Sequence, residues 1–554
     1  MLLGKLIYMK NTNDIKKQNR TIAGAISGIF GAKAAASEPP DDDYQSYIME
    51  NDADEAELDR QRRDELTLRP RFFAVLINRG RQKETKQTLA SLQAQTYGEW
   101  ELAEESGAAQ DGTGYVIRLN AGDELSPDAL YSFAYSVQRA AEDKPDMIYA
   151  DEDEISPSGR KAPVFKPEFS RITALSYDLF GRILAIKQDI YAMCSPPGLD
   201  ADEAEEYAFK LRCMAHAGRI IHIPKVLLHR GSRLRPIENS AGMAAIRSYI
   251  RGEDRQESAS TGIWKGSFIV SSLRQPRRVS IIIPNLNGME SLRRLLESIE
   301  RCMLGYKYEI IIADGGSGDA RLLKYYGLIE KARAAKVVRC ESAGFATLAC
   351  AGAERAMGDA LLFLSRDAEV ISPMMLGALI AQGERENVAA AGCMLISPNN
   401  RIVYTGGVIG LCGEVASPYE GEAADDDKAA SLRRLMFTDT VRAVSVLSGA
   451  CMYMRSDMYF SCGGFDRSFD AAEYEPLLPL GSDAELCLRL SRRGFCSVYT
   501  PQARLIMHTG LPRLKETPEN VRVRCKDEFR HLSIYGDPYY NTAFDKSYVV
   551  PRVK

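Results

Sequence analysis

The chain has 554 residues, of which 45% are hydrophobic and 26% charged, and its formal net charge is −4. Because single hydrophobic cores stop growing at roughly 250–300 residues, this length predicts two large domains. The composition excludes a disordered or collagen-like chain. The near balance of acidic and basic residues gives no electrostatic reason to expect a nucleic-acid partner.

The cysteines and the N-terminal segment bear on the compartment. The 12 cysteines are scattered, with no C-x-x-C pair and no histidine in zinc-site spacing, which is typical of reduced cytosolic thiols. Residues 21–37 are the one candidate membrane segment, but they are too short, too rich in Gly and Ala, and interrupted by Lys33. We expect a cytoplasmic protein, in which this segment is disordered, loosely helical or a peripheral anchor at the inner face of the membrane.

In chain order, the predicted elements begin with a polar, acidic extension at residues 1–70, which predicts at best a solvated helical lead-in that is partly disordered. "RFFAVLIN" (71–78) then predicts a buried strand, and residues 83–95 predict a helix. The same opening recurs at 279–302, where "VSIIIPNLNG" predicts a strand with a turn and "MESLRRLLESIERC" a helix. This internal repeat predicts tandem copies of one domain.

In the second copy, strands and helices continue to alternate, which predicts a mainly parallel α/β sheet. Ligands bind such sheets beyond the carboxyl ends of the strands. Three strand ends carry polar residues, namely Asn285 with Asn287, Asp314 and Asp367. Each alone is explained equally well as a helix cap or turn residue. All three in order along one sheet edge indicate a functional site.

At this point the motifs resemble those of bacterial family 2 glycosyltransferases of the GT-A fold, from about Tyr44 to the C terminus. The second copy carries "EIIIADGGSGD", "GDALLFLSRDAEVISP" and "GSDAELCLRLSRRGFCSVYTPQARLIMH". The lead-in and "GDPYYNTAFDKSY" resemble tandem-domain members that build surface polysaccharides. The resemblance implies two tandem Rossmann-like GT-A domains for nucleotide-sugar transfer, the first of them truncated.

The predicted boundaries follow from the repeat and the resemblance. They are an N-terminal extension (1–70), a degenerate GT-A-like domain (71–235), a linker (236–276), a GT-A glycosyltransferase domain (277–512) and a C-terminal tail (513–554).

The resemblance implies a donor site in the second copy. Asp314, beside Pro284 and Asn287, matches the carboxylate that reads the uracil or thymine of the nucleotide. Asp367 matches the last carboxylate of the D-x-D region, which holds Mg²⁺ or Mn²⁺ against the diphosphate. His508 falls where many members place a further ligand of the metal or diphosphate; the simpler alternative is an ordinary half-buried histidine.

The resemblance also implies how the acceptor is activated. Asp483 matches the general base, and Glu485, two positions on, is assigned to the acceptor side. A hydroxyl becomes a good nucleophile when a carboxylate takes its proton, and a hard cation stabilises the leaving diphosphate. Direct displacement inverts the anomeric centre and needs no second carboxylate. The structural alternative for Asp483 is a helix N-cap or a surface carboxylate.

Two departures from the family pattern are visible. The D-x-D region reads Ser365, Arg366 and Asp367, so a guanidinium stands beside the one remaining carboxylate. Arg366 either repels the metal or contacts phosphate itself, and we assign it to the donor. Ser482 replaces the usual Glu before the base.

The first copy lacks part of the family pattern. Only 12 residues separate Leu102 from Tyr115, where the family has several dozen that supply the base-reading loop, a crossover helix and another strand. Because a parallel crossover alone needs about ten to twelve residues, the nucleotide half of the site cannot be built. Asp123 is the one carboxylate of its D-x-D region, and Glu206 takes the position of the base. We interpret "DEDE" (151–154) as an exposed acidic turn rather than a metal site. We interpret this copy as a pseudo-transferase that binds the acceptor or docks partners.

The function predicted from these observations is an inverting, metal-dependent glycosyltransferase. It would move a sugar from a UDP- or dTDP-linked donor to a glycan or lipid-linked acceptor in surface-polysaccharide synthesis, alongside other glycosyltransferases. The rival is a non-catalytic pseudo-glycosyltransferase that serves as a binding or scaffold module. A sugar nucleotidyltransferase is disfavoured because "PNLNG" is not a Gly-rich G-x-G-T-R loop.

Overall fold

The computed structural model describes residues 42–77, 82–105, 112, 114–425, 431–470, 481–511 and 518–554. Two large mixed sheets flanked by helices confirm the predicted α/β fold class. The second large sheet is mixed rather than mainly parallel, because five of its nine described strand pairings are antiparallel. The candidate membrane segment 21–37 lies outside the described residues. Within them, every helix is too short or too polar to cross a bilayer.

The first half is built on an eight-stranded sheet. Its strands are β1 (Phe72–Ile77), β2 (Trp100–Leu102), β3 (Tyr115–Asn120), β4 (Glu124–Leu125), β5 (Met147–Ser156), β6 (Gly159–Val164), β7 (Leu184–Lys187) and β8 (Ile220–Arg230). The helices here are α1 (Asp42–Asn51), α2 (Glu55–Arg63), α3 (Gln82–Gln93), α4 (Ala129–Arg139), α5 (Arg171–Ala174), α6 (Gln188–Met193) and α7 (Glu203–His216). The strand order is β2-β1-β3-β7-β5-β8-β4, with β6 paired to β5.

The predicted linker, residues 236–276, is a folded unit. It contains helix α8 (Asn239–Gly252) and an antiparallel hairpin of β9 (Glu257–Thr261) and β10 (Phe268–Ser272). The Phe268 ring leaves no room for a Cβ at Gly242, so helix and hairpin are in close contact. Both belong to the apolar core beneath the first sheet.

The second half is built on a ten-stranded sheet and a small two-stranded one. Its strands are β11 (Val279–Asn285), β12 (Tyr308–Asp314), β13 (Lys336–Arg339), β14 (Ala360–Leu364), β15 (Ala368–Val370), β16 (Val388–Ile396), β17 (Ile402–Tyr404), β18 (Val408–Leu411), β19 (Glu414–Ala416), β20 (Arg442–Val444), β21 (Cys451–Arg455) and β22 (Cys496–Met507). Its helices are α9 (Met289–Cys302), α10 (Ala320–Lys331), α11 (Phe345–Glu354), α12 (Met375–Gly383), α13 (Leu432–Thr438), α14 (Ser456–Ser461), α15 (Ser482–Ser491) and α16 (Glu519–Tyr535), with a short 3-10 turn at Arg467–Phe469. The large sheet has the order β13-β12-β11-β14-β21-β16-β22-β15.

The two large sheets share one strand order. Without its edge strand β13, the second sheet reads β12-β11-β14-β21-β16-β22-β15, which corresponds strand for strand to β2-β1-β3-β7-β5-β8-β4. The shared pairs also run in the same directions: for example, β5 with β8 and β16 with β22 are parallel, whereas β4 with β8 and β15 with β22 are antiparallel. Among the described residues the first sheet has no counterpart of β13, as the short connection after β2 predicts. The topology therefore supports a tandem repeat with a shortened first copy.

The prediction of an exposed turn at "DEDE" is wrong. Asp151, Glu152 and Asp153 lie in β5 and are fully buried. Each has a basic partner: Asp151 pairs with His222, Glu152 with Lys166, and Asp153 with His229. Buried carboxylates require such compensation. The partners are distant in sequence, so charge patterning alone could not reveal the burial.

The N-terminal lead-in is partly buried rather than only solvated, and the C-terminal tail is hydrogen-bonded to the rest of the protein. Tyr44 and Tyr47 are at most 4% exposed and pack on the ring of Phe165. In the tail, the Asn541 side-chain amide donates hydrogen bonds to the Asp151 carboxylate and to the Lys166 carbonyl, both at 2.8 Å. The C-terminal residues thus attach to the first sheet, although they follow the second in sequence.

Candidate functional site

The loops after β11 and β12 form one bonded unit at the carboxyl edge of the second sheet. The backbone N–H of Asn287 donates to Ser317 Oγ at 2.8 Å, and its side-chain oxygen accepts from the N–H of Gly318 at 2.9 Å. Asn287 has a φ of +53°, in the left-handed region that Asn tolerates. Pro284 is a buried strand residue beside Ala313. The residues predicted to bind the nucleotide therefore lie together.

Asp314 is fully buried, and its carboxylate accepts all its hydrogen bonds from groups of this protein. One oxygen accepts from Tyr326 Oη at 2.8 Å and Ser317 Oγ at 2.5 Å; the other accepts from the Ser317 N–H at 3.1 Å and Arg339 Nη1 at 3.0 Å. These contacts hold the loop in place. A base edge could reach this carboxylate only if one of the internal donors gave way.

Sequence reasoning missed Arg339, the last residue of β13. Its guanidinium lies 4.6 Å from the ring centroid of Tyr326 while it pairs with Asp314, and its side chain is about half exposed. It stands at the same sheet edge as the other site residues. The available signal was a basic residue at a strand end in "AKVVRC".

Arg366 folds over the first loop. Its Nη1 donates to the Leu286 carbonyl, and its Nε lies 3.7 Å from the nearer oxygen of Asp367. A Cβ at Gly288 would lie within 2.8 Å of the guanidinium, so glycine is required there for this position of the arginine. Arg366 thus lies between the first loop and the remaining carboxylate of the D-x-D region.

The two predicted metal ligands are neighbours, but their side chains have different partners. The backbone N–H of His508 donates to the Asp367 carbonyl at 3.0 Å. The imidazole Nε2, however, lies 3.0 Å from Glu369, which also accepts from Arg301 at 3.3 Å. Burial alone would raise the pKa of Glu369, but the hydrogen bonds from His508 and Arg301 hold it below its ordinary value.

The residues fit a metal that arrives with its ligand rather than a resident one. In the part of the chain that the structure describes, no three His, Cys, Asp or Glu side chains converge as a metal site. Asp367, which is 6% exposed, offers one carboxylate at this edge. Mg²⁺ is commonly held by one or two carboxylates together with substrate phosphates and water. Asp367 is suited to that arrangement.

Asp483 is a buried carboxylate near the start of α15. One oxygen accepts from the Gly449 N–H at 3.0 Å and the other from the Ala484 N–H at 2.8 Å. Burial raises its pKa to about 6, although these backbone hydrogen bonds act to lower it. Among the described residues it has no ion pair with a cation. The alternatives of an N-cap and of a surface carboxylate are wrong, since Gly481 is the N-cap and Asp483 is 8% exposed.

One turn brings Asp367 and Asp483 into the same site. The Ser365 N–H donates to the Ala450 carbonyl at 2.9 Å, which ties the D-x-D turn to the segment before β21. In that segment, Gly449 donates to Asp483. Ser365 and Asp483 are therefore both hydrogen-bonded to residues 449–450.

Glu485 pairs within its own helix. Its carboxylate accepts from Arg489 Nε at 2.8 Å and Nη2 at 2.5 Å. Arg489 in turn donates to the carbonyls of Cys462 and Gly464, so Glu485 braces the turn after α14. Its assignment to the acceptor side stays a prediction.

In the first copy, arginines neutralise the corresponding carboxylates. Glu206, at the position of the base, accepts from Arg118 at 2.8 and 3.1 Å. Asp123 lies 3.0 Å from Arg182 Nη1. A guanidinium paired with a carboxylate in this way occupies its hydrogen-bonding positions. This contrasts with Asp483, whose hydrogen-bond donors are uncharged.

The chain is similar in sequence to several known proteins. Residues 280–410 match the sequence profile described as glycosyl transferase family 2. The chain is 26% identical to the O-antigen biosynthesis protein RfbC of Myxococcus xanthus, over 93% of this chain and 44% of that protein. It is 27% identical to the uncharacterized protein y4gI of Sinorhizobium fredii, over 77% of this chain and 48% of that protein. The chain thus spans about half the length of these curated relatives.

Among solved structures, the crystal structure of GalNAc-T7 with UDP, GalNAc and Mn²⁺ is similar to part of the chain. The TM-score is 0.36 and the sequence identity 17%, over 47% of this chain and 49% of that one.

Proposed function

We propose that this chain transfers a sugar, with inversion, to a hydroxyl group of a glycan or of a lipid-linked acceptor. The proposal starts from the match of residues 280–410 to the glycosyl transferase family 2 profile. The donor would be a UDP- or dTDP-sugar. The observation that carries the proposal is Asp483, a buried carboxylate with a pKa of about 6, joined through one turn to Asp367. Similarity to RfbC supports a place in surface-polysaccharide synthesis.

The proposed reaction is a single displacement. The acceptor oxygen forms a bond to the anomeric carbon while the bond from that carbon to the diphosphate breaks, and the diphosphate leaves with the electron pair. Asp483 takes the acceptor proton. A carboxylate whose pKa lies near the operating pH is an effective general base. One displacement inverts the anomeric centre.

On the donor side, the bonded loops at Asn285–Asn287 and Asp314–Gly318 form the nucleoside wall. Arg366 is placed to contact the diphosphate, because its guanidinium lies between the first loop and Asp367. Asp367 would hold the divalent ion, Mg²⁺ or Mn²⁺, together with the donor phosphates. When bound, that ion neutralises charge on the leaving diphosphate.

The second candidate is a non-catalytic nucleotide-binding or scaffold module. It is favoured by Ser365 and Ser482 at positions where the family carries carboxylates. It is also favoured by Asp314, whose carboxylate is fully used within the protein. This reading predicts nucleotide binding without turnover, or no binding at all.

Calorimetric titration with UDP and dTDP, with and without Mn²⁺, tests the donor side. We expect Mn²⁺ to tighten nucleotide binding in the wild type and Asp367→Ala to lose about tenfold of that affinity, the order of one charge-assisted contact. Glu369→Ala is the matched control, because Glu369 is a neighbouring carboxylate that pairs with His508. If Glu369→Ala lost nucleotide affinity and Asp367→Ala did not, Glu369 rather than Asp367 would be the metal ligand. No nucleotide binding at millimolar concentration would favour the scaffold.

The pH dependence of transfer tests the base. The pKa of Asp483 is raised to about 6, so the carboxylate is protonated below that pH and free to accept a proton above it. We therefore expect kcat/KM to rise with pH through about 6 and then level off. A profile that is flat between pH 5 and about 7.5 would argue against Asp483 as the base.

A further inference from the structure

A large cavity lies between the first sheet and segments of the second half, and its lining includes neither Asp367 nor Asp483. Its volume is about 1720 Å³, above the roughly 300–1,000 Å³ usual for small-molecule pockets. One wall is the carboxyl edge of the first sheet, near Asn120, Glu152 and Arg230. The opposite wall comes from α13, β20 and the tail near Tyr539.

A nucleotide is a poor candidate for this cavity. The first sheet has no counterpart of β13 among the described residues, and that strand supplies one wall of the nucleoside region in the second sheet. The cavity is lined instead by residues of α7 such as Glu203 and Glu206. Helix α7 precedes β8 as α15 precedes β22, so the cavity lies on the side where the second copy carries Asp483. It therefore includes the counterpart of the acceptor half of the fold, together with the turn at residues 120–122.

The sheet wall of the cavity contains a buried cluster of charged side chains. Lys166 Nζ lies 3.2 Å and Arg230 Nε 3.5 Å from Glu152, so two cations share one carboxylate. All three side chains are at most 2% exposed. Within the described chain, Arg230 Nε and Glu152 Oε1 make no hydrogen bond. These two atoms face each other at 3.5 Å in the ion pair, so it is the charge of the cluster, with two cations against one carboxylate, that favours an anionic ligand.

The opposite wall contains a buried guanidinium without a counter-ion. Arg442 is 6% exposed and donates to the carbonyls of Phe437 at 3.2 Å and Thr405 at 2.7 Å. No carboxylate in the described ranges lies within ion-pair distance of it. Burial lowers its pKa to about 10, and the rings of Phe437 and Tyr499 lie with their centroids 5.2 and 5.4 Å from the guanidinium carbon. Basic side chains also outnumber acidic ones in the whole lining.

Aromatic side chains complete the lining. Tyr177 and Trp264 lie with their ring centroids 6.1 Å apart, and both line the cavity. Apolar and aromatic walls with a few placed polar groups are typical of sites for organic ligands rather than bare ions. The size, the excess of basic side chains and the aromatic rings together fit a saccharide that carries anionic groups.

We propose that this cavity binds an acidic saccharide, in which sugar units carry carboxylate or phosphate groups. The identification of this saccharide as the acceptor glycan rests on the proposed function. Strand β20, with Arg442 in the cavity wall, leads within a few residues to Gly449, which donates to Asp483. The cavity wall and the turn that bonds Asp483 therefore belong to one continuous segment of the chain.

Calorimetry on the full chain tests the site, with trigalacturonate and glucose 6-phosphate as acidic probes and maltotriose as the neutral one. Arg442→Met should weaken binding of the acidic probe at least about tenfold, as expected for a lost charged contact. A double variant changes only exposed or half-exposed residues at the rim of the cavity, Arg235→Gln and Lys265→Gln. It should weaken binding of the acidic probe several-fold without affecting folding. Lys324→Gln with Lys331→Gln, exposed on α10, is the charge-matched control and should change nothing.

Binding of either acidic probe alone supports the site and identifies carboxylate or phosphate as the recognised group. Equal binding of maltotriose, an affinity unchanged in the rim variant, or no binding of either acidic probe at millimolar concentration would overturn it. Asp483→Asn should retain saccharide binding. If transfer fails in every assay while the acidic probe still binds through the cavity, the proposed function falls and the site stands.

Discussion

Replacing Asp483 with Asn should lower kcat for sugar transfer by about 10²- to 10⁴-fold, the usual contribution of a general base. Asn has the same size and can still accept the hydrogen bond from Gly449, but it cannot take a proton from the acceptor. The interaction removed is made only in the transition state, so the Kd of the nucleotide should hardly change. Transfer kinetics and nucleotide titration on the same preparation measure both effects.

The contrary result would be an equal loss of transfer and donor binding, which would mark Asp483 as a structural residue. The structure makes this distinction useful, because Asp483 also holds the turn at residues 449–450 that carries the link to the D-x-D region. A melting temperature unchanged in Asp483→Asn would show that the turn is intact.

Replacing Asp314 with Ala should destabilise the second half by about 2–4 kcal/mol. The change leaves Ser317 and Tyr326 without their acceptor, and each buried donor left unpaired costs about 1–3 kcal/mol. Arg339 adds little to this cost, because its half-exposed side chain can return to water. The shift of the urea unfolding transition measures the effect.

Asp314→Asn separates the two roles considered for this residue. Asn retains an acceptor for Tyr326 and most of the loop geometry, so a loop-holding residue should tolerate it with a small loss of stability and near-normal UDP binding. If the carboxylate reads the nucleobase, UDP binding should fall sharply while stability changes little. Arg339→Met is the control for the ion pair and should cost less than about 1 kcal/mol.

Local sequence patterns predicted the framework of the site well. The apolar runs of β11, β12 and β14, each followed by polar residues, placed Asn287, Asp314 and Asp367 at one sheet edge, where the structure has them. The short connection after Leu102 predicted the missing counterpart of β13. Both inferences rest on the periodicity of apolar residues and on the length of a connection, and both can be read from a single sequence.

Features that depend on distant partners could not be predicted in this way. The carboxylate of Asp151 is buried because it meets His222 and Asn541, which lie 71 and 390 positions away. His508 was assigned to a metal, but its ring contacts Glu369. The cavity with Arg442 in its wall combines segments from both halves of the chain, so no local motif marks it.

The most direct test of the whole account is nucleoside diphosphate release from a panel of UDP- and dTDP-sugars, measured for the wild type, Asp483→Asn and Glu206→Gln. Glu206 takes the position of the base in the first copy, where Arg118 neutralises it. We expect release by the wild type and Glu206→Gln, and loss of release in Asp483→Asn. Release that survives in Asp483→Asn and disappears in Glu206→Gln, or no release from any donor, would contradict it.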